Sequence, residues 1–230
     1  NSNITYFPLR DKEKNTKNQK LIMSAYRQLT EKEIATLVVY GCTAESWQNV
    51  KVAEEFSPAF VTNVHFSGEI ELGTFNKVFE LAGGLKKHSG LNNCWLHNCT
   101  VGNDVFIDKI DNYIANYKID DNSYIENVNL ILVDGITTFG NGVKVPVMNE
   151  GGGREIPIFD WLSAPLAYIL TLYRHRPQLI QNLQHLIDEY ANSQKSNKGY
   201  IAKNVRIVNC GTIKNVKIGD YALIEGASLL

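Results

Sequence analysis

Five histidines, at positions 65, 88, 97, 175 and 185, are the side chains of this chain that titrate near neutral pH without help. A general base toward a hydroxyl or an amine needs that property and hydrogen-bond reach of the acceptor. A second group with chemical potential is Asn149-Glu150-Gly151-Gly152-Gly153-Arg154. Three consecutive glycines let backbone amides approach an anion, and Arg154 can clamp a phosphate or carboxylate, with Asn149 and Glu150 as further substrate contacts. The run lacks the Gly-Lys-Ser/Thr ending of a nucleotide-binding P-loop, and no strand-loop-helix pattern surrounds it. A flexible hinge therefore stands beside the binding site as a reading of this segment.

Composition narrows the partners. The formal net charge is −1, which leaves no electrostatic footprint for nucleic acid. No apolar run approaches the length that spans a bilayer. Residues 1–22 are polar, without the apolar stretch of a signal peptide, and read as a disordered arm or an expression remnant. The four cysteines, at 42, 94, 99 and 210, have no zinc-site spacing, so no metal is expected and no cofactor is required. Reduced thiols in a cytoplasmic protein follow, with Cys94, Cys99 and Cys210 acting as small apolar filling.

The elements that must position these residues announce themselves as a repeat. Val101-Gly102-Asn103-Asp104-Val105-Phe106-Ile107-Asp108 returns as Ile119–Glu126 and again as Ile218–Glu225. Ile201, Ile207, Ile213, Ile218, Ile224 and Leu229 follow at steps of six or five, as do Leu85, Leu91, Leu96, Val101 and Ile107. That period fits neither a helix turn nor an alternating strand, but it fits short strands joined by tight corners. Branched side chains such as Val101, Ile119 and Ile218 should then line one common column.

This phasing resembles the hexapeptide-repeat proteins, over about residues 60–150 and 200–230. The resemblance implies a mainly β chain: a left-handed parallel β-helix, the hexapeptide solenoid, with an N-terminal helix and an inserted αα-hairpin. It also implies a homotrimer with sites between subunits, and a transferase-like activity that moves an acetyl group from acetyl-CoA to a sugar or sugar nucleotide. His88 falls at position four of the unit Leu85–Gly90 and should project outward, where it would be the catalytic base; a solvated or interface histidine is the alternative. His65 and His97 fall at the corner position, and His175 and His185 in the helical insertion, where surface roles suffice.

Further phrases resemble a bacterial family of unknown function, whose longer members are sometimes labelled as related to sugar-nucleotide pyrophosphorylases. They include Tyr26-Arg27-Gln28-Leu29-Thr30, Lys87-His88-Ser89-Gly90, Asn112-Tyr113-Ile114-Ala115-Asn116-Tyr117 and Gly153-Arg154-Glu155-Ile156-Pro157. On that resemblance the chain is either acyltransferase-like, a non-catalytic scaffold, or the assembly domain of a nucleotidyltransferase-related protein. Asn112 and Asn116 read as an inward asparagine ladder rather than as sugar contacts.

The expected organisation is a helical cap over 23–59, with Thr30 and Glu33 as a capping box, then β-coils over 60–150. A glycine-rich hinge and helical pair occupy 151–198, with Pro165 and Pro177 in first turns. The β-coils resume over 199–230 and are expected to continue past Leu230 or to be covered by a partner surface.

Overall fold

The computed structural model describes residues 26–147, 152–153 and 155–230. Strands dominate, and most of them pair in parallel in two large sheets. The eight-stranded sheet is parallel throughout; its longest members are Val61–Ser67, Gly90–His97, Tyr124–Leu132 and Arg206–Lys214. The seven-stranded sheet is parallel except at one end, where Tyr26–Gln28 runs antiparallel to Val50–Ala53.

Branched aliphatics stack across both sheets. Val61 pairs with Leu91, Leu91 with Ile107, Ile107 with Ile125 and Ile125 with Ile207. In the other sheet Leu72, Val101, Ile119, Ile201 and Ile218 succeed one another, so the expected column of Val101, Ile119 and Ile218 is present. These side chains belong to one continuous core. Each fully buried aliphatic contributes about 1.5–3 kcal/mol, which is what holds the sheets together.

The expected left-handed hexapeptide β-helix is corrected here. The strands form a parallel sheet of eight and a mixed sheet of seven, and two antiparallel hairpins stand apart from both. A strict hexapeptide repeat needs strands of one length at one interval, and this chain keeps neither. Strands run from two residues to nine, and Ile107 is followed in the stack by Ile125 but Ile125 by Ile207. Leu85 and Leu229, both in the expected march, are exposed.

The long strands bend where a residue takes a positive φ. Asn63, Asn93, Asn127 and Asn209 do so at equivalent steps, with φ of 52°, 45°, 54° and 54°. Asparagine tolerates this left-handed region better than most residues. Its side chain also bridges layers: the Asn63 Nδ2 donates to Asn93 Oδ1 at 2.9 Å, and Asn127 Nδ2 to Asn209 Oδ1 at 2.8 Å.

Helix α1, Glu31–Val39, begins with the expected capping box: the Glu33 amide donates to Thr30 Oγ1 and the Thr30 amide to Glu33. It buries Leu37 against the main core. Helices α2, Ala164–Leu172, and α3, Pro177–Ser193, form a separate small core in which Leu170 and Ile187 meet Ile156. Pro165 and Pro177 lie in first turns, where the missing amide hydrogen costs nothing.

Candidate functional site

A groove of 730 Å³ opens on the outward side of the eight-stranded sheet. Alternation along Gly90–His97 buries Leu91, Cys94 and Leu96 and turns Trp95 and His97 the other way. The floor is Ala115, whose small side chain leaves a depression beside His97 and Leu132. Asp111, Asn112 and Tyr113 rise on one side, and Asp134 and Gly135 complete the lining. Trp95 keeps 48% of its surface exposed and stands edge-on to His65, with ring centroids 4.4 Å apart.

The protonation of His97 follows from its partners. The Glu69 amide donates to Asn98 Oδ1 at 3.0 Å, which turns the Asn98 Nδ2 toward His97 Nε2 at 2.9 Å. Nε2 must accept, so Nδ1 carries the hydrogen and donates to Ser67 Oγ at 2.8 Å. Ser67 Oγ also accepts from Trp95 Nε1 at 3.3 Å. With both ring nitrogens engaged, His97 does not activate Ser67 as a nucleophile: the nitrogen facing the hydroxyl already holds a proton. His65 repeats the pattern one layer down, with Nδ1 2.7 Å from Thr43 Oγ1.

His88 has a different setting. It lies in the antiparallel hairpin of Val78–Glu80 and Lys86–His88, not in a repeat unit as its spacing suggests. Its ring is half-buried and stacks on Phe60, centroids 3.8 Å apart and planes 10° apart. Nδ1 lies 2.8 Å from the Ser89 carbonyl, and a carbonyl only accepts, so Nδ1 donates. Nε2 is left with its lone pair and has no hydrogen-bond partner among the described residues. That is the arrangement of an oriented base. His88 and His97 nevertheless sit at opposite ends of the strand Gly90–His97, so one copy of the chain does not bring His88 into the groove.

The same hairpin covers an aromatic patch in which Phe79, Phe106 and Tyr124 meet. Lys87 and Tyr124 both hydrogen-bond Glu126. Burial opposes the Glu126 charge, but these two donors outweigh it and hold the carboxyl below its usual range. Burial first, and then the Glu126 charge, push the Tyr124 hydroxyl upward. The cluster is internally satisfied, and it anchors the hairpin.

His65 lies inside a strand, His97 ends its strand just before the bend at Asn98, and His185 is exposed on α3 beside Glu189. Asn149, Glu150 and Arg154 lie outside the described residues. Within the glycine run, the Gly153 amide donates to the carboxylate of Glu155 at 2.9 and 3.1 Å, which lowers that carboxyl's pKa. Asn116 does enter a ladder, accepting from Asn98 at 3.2 Å, but at a half-buried bend rather than facing inward. Asn112 bonds Asn129 at the surface. Tyr113 belongs to the Asn112–Tyr117 phrase, whereas no spacing marks Trp95 or Asp111; the outward parity of Trp95 between buried Cys94 and Leu96 is the signal that marks it. Among the described residues no three His, Cys, Asp or Glu side chains gather as a metal site, and no helix is long and apolar enough to cross a membrane.

The comparisons with known proteins fit this picture of a site without an assigned chemistry. The chain is 24% identical over 217 residues to an uncharacterised protein of Treponema pallidum (strain Nichols). The alignment covers 90% of this chain but 30% of that relative, so the chain spans about a third of the relative's length. No solved structure matches it. A family profile matches residues 26–230, nearly all of the chain, and the chain therefore belongs to the family described as a domain of unknown function, DUF4954.

Proposed function

We propose that the groove beside Trp95 and Tyr113 binds a sugar-type ligand. The observation that carries this reading is that two aromatic side chains, Trp95 and Tyr113, line one open depression together with Asp111, Asn112 and Ala115. An aromatic face takes the apolar side of a pyranose ring, and planar carboxylates and amides take its hydroxyls.

Acetyl transfer from acetyl-CoA to that ligand is the chemistry proposed for it. Its support is His88, whose ring is oriented by the Ser89 carbonyl and whose Nε2 is free to accept a proton. A homo-oligomer, the trimer that the resemblance implies, would bring one copy's His88 to another copy's groove. The apolar residues Trp161, Tyr168, Leu172 and Leu186, exposed on and beside α2 and α3, supply surface for such contacts. Four reduced, buried thiols are in keeping with a cytoplasmic setting.

A second reading, a non-catalytic scaffold, is favoured by the internal satisfaction of the Lys87–Glu126–Tyr124 cluster and the asparagine bridges. Thermal-shift and calorimetric titration with monosaccharides, nucleotide sugars and acetyl-CoA separate the two, because a specific ligand raises the melting temperature by mass action. Trp95→Ala should abolish the sugar response while leaving the unliganded melting temperature nearly unchanged. If no sugar shifts the wild-type protein, the groove reading falls and the scaffold stands. If acetyl transfer is observed and His88→Ala leaves its rate unchanged, the assignment of the base falls.

A further inference from the structure

The groove's hydrogen-bonding groups are unevenly spent. The Trp95 Nε1 hydrogen goes to Ser67, one Asn112 amide hydrogen to Asn129 at 2.6 Å, and one of Asn116 to the Val133 carbonyl at 2.9 Å. Asn98 donates to His97 Nε2 and to Asn116, and His97 donates to Ser67. The charged groups of the lining are acceptors: the Asp111 carboxylate, which has no partner among the described residues, and one oxygen of Asp134, beside the neutral Asn112 Oδ1. Lys214 holds the other Asp134 oxygen at 2.8 Å. Among the described residues no lysine or arginine lines the depression. A third carboxylate, Glu45, lies close by and accepts from the Gly68 amide, next to Ser67.

From this we infer that the groove takes a ligand bearing a free ammonium and no phosphate at this site, an amine-bearing sugar of the hexosamine class. The inference rests on the sugar-groove reading and names its substrate class. An ammonium presents three donors, and the Asp111 carboxylate supplies acceptors and the opposite charge. Trp95 and Tyr113 line the same depression, and an aromatic ring attracts a cation over its face. A phosphate brings negative charge to the same surface, where it meets the unpaired Asp111 carboxylate and where the neighbouring Lys214 is already held by Asp134. The asymmetry is one of charge.

Isothermal titration of the full chain with D-glucosamine, N-acetylglucosamine, glucosamine 6-phosphate and UDP-N-acetylglucosamine tests this. Glucosamine should bind roughly five- to tenfold more tightly than N-acetylglucosamine. Asp111→Asn should remove that preference while leaving N-acetylglucosamine binding unchanged, and Asp188→Asn, on the exposed side of α3, should leave the preference intact. Glucosamine affinity should fall as pH passes above the pKa of its own amine, and N-acetylglucosamine affinity should not. Equal binding of the two, or tighter binding of either phosphorylated sugar, overturns the ammonium inference and leaves the sugar groove standing. Absence of binding by all four overturns both.

Discussion

Tyr117 and Gly199 are direct partners in the seven-stranded sheet, and the tyrosine ring fills the space that a side chain at 199 would need. A Cβ at 199 would lie 2.3 Å from Tyr117 Cε1. The ring has no room to retreat, because it is fully buried and its hydroxyl donates to the Val216 carbonyl at 2.8 Å. This contact joins the strand before the helical segment to the strand after it, so it closes a long excursion of the chain.

Gly199→Ala should therefore destabilise the protein by about 1–3 kcal/mol, the usual range for overpacking a filled core. Urea unfolding measures it. In Tyr117→Leu, which vacates the space, the same glycine substitution should cost less, a non-additivity that a double-mutant cycle reads directly. Equal costs in both backgrounds would refute the clash.

The bend at Asn127 combines a positive φ with a bond to Asn209. Asn127→Ala should lose the bond and also strain the backbone, the strain alone being worth about 1–2 kcal/mol. Asn127→Gly loses the bond and relaxes the backbone, so it should be the milder change. Denaturant midpoints for the pair decide the matter: alanine no worse than glycine would remove backbone strain from the account.

Glu33 lies beside Arg27, 2.8 Å away, and the Arg27 hydrogen bonds are the largest cause that lowers its carboxyl to about 2 from an ordinary 4.5. A carboxyl depressed by folding adds stability that is fully present above pH 4.5 and is lost as pH falls toward 2. Glu33→Gln preserves the capping geometry and removes the charge. Its destabilisation should be constant at neutral pH and shrink between pH 4.5 and 2. Thermal unfolding across that window checks this, and a pH-independent difference would contradict it.

All four cysteines are free and buried. Burial pushes the Cys99 thiol up to about 11 and raises Cys42 and Cys94 as well. Since the thiolate is the reactive form, the native protein at pH 8 should be nearly inert to a disulfide-exchange reagent, whereas the unfolded chain should titrate all four thiols. Rapid labelling of Cys99 in the native protein would show that its site opens.

How much was legible before any coordinates depends on the range of the interaction. The capping box of α1 needs only Thr30 and Glu33, three residues apart, and it forms as read. The stacking of Val101, Ile119 and Ile218 was also visible, because each sits at the start of a repeated phrase and only a buried face explains an aliphatic there. His88 was misplaced because Leu85–Gly90 mimics a repeat unit, while an antiparallel pairing of Val78 with His88 prevails and exposes Leu85. The regular hexapeptide architecture failed for a related reason: a local period sets which side chains point inward but not the lengths of the strands or their partners.

By itself, then, the order of residues determined what is buried, since the alternation of apolar and polar side chains is a local property of an extended backbone. The groove was beyond its reach. Trp95, Asp111 with Tyr113, and Asp134 come from three stretches of chain, and their meeting around Ala115 depends on parallel register among three strands. Register is set by long-range burial, so only the tertiary structure could decide which acceptors face the same ligand.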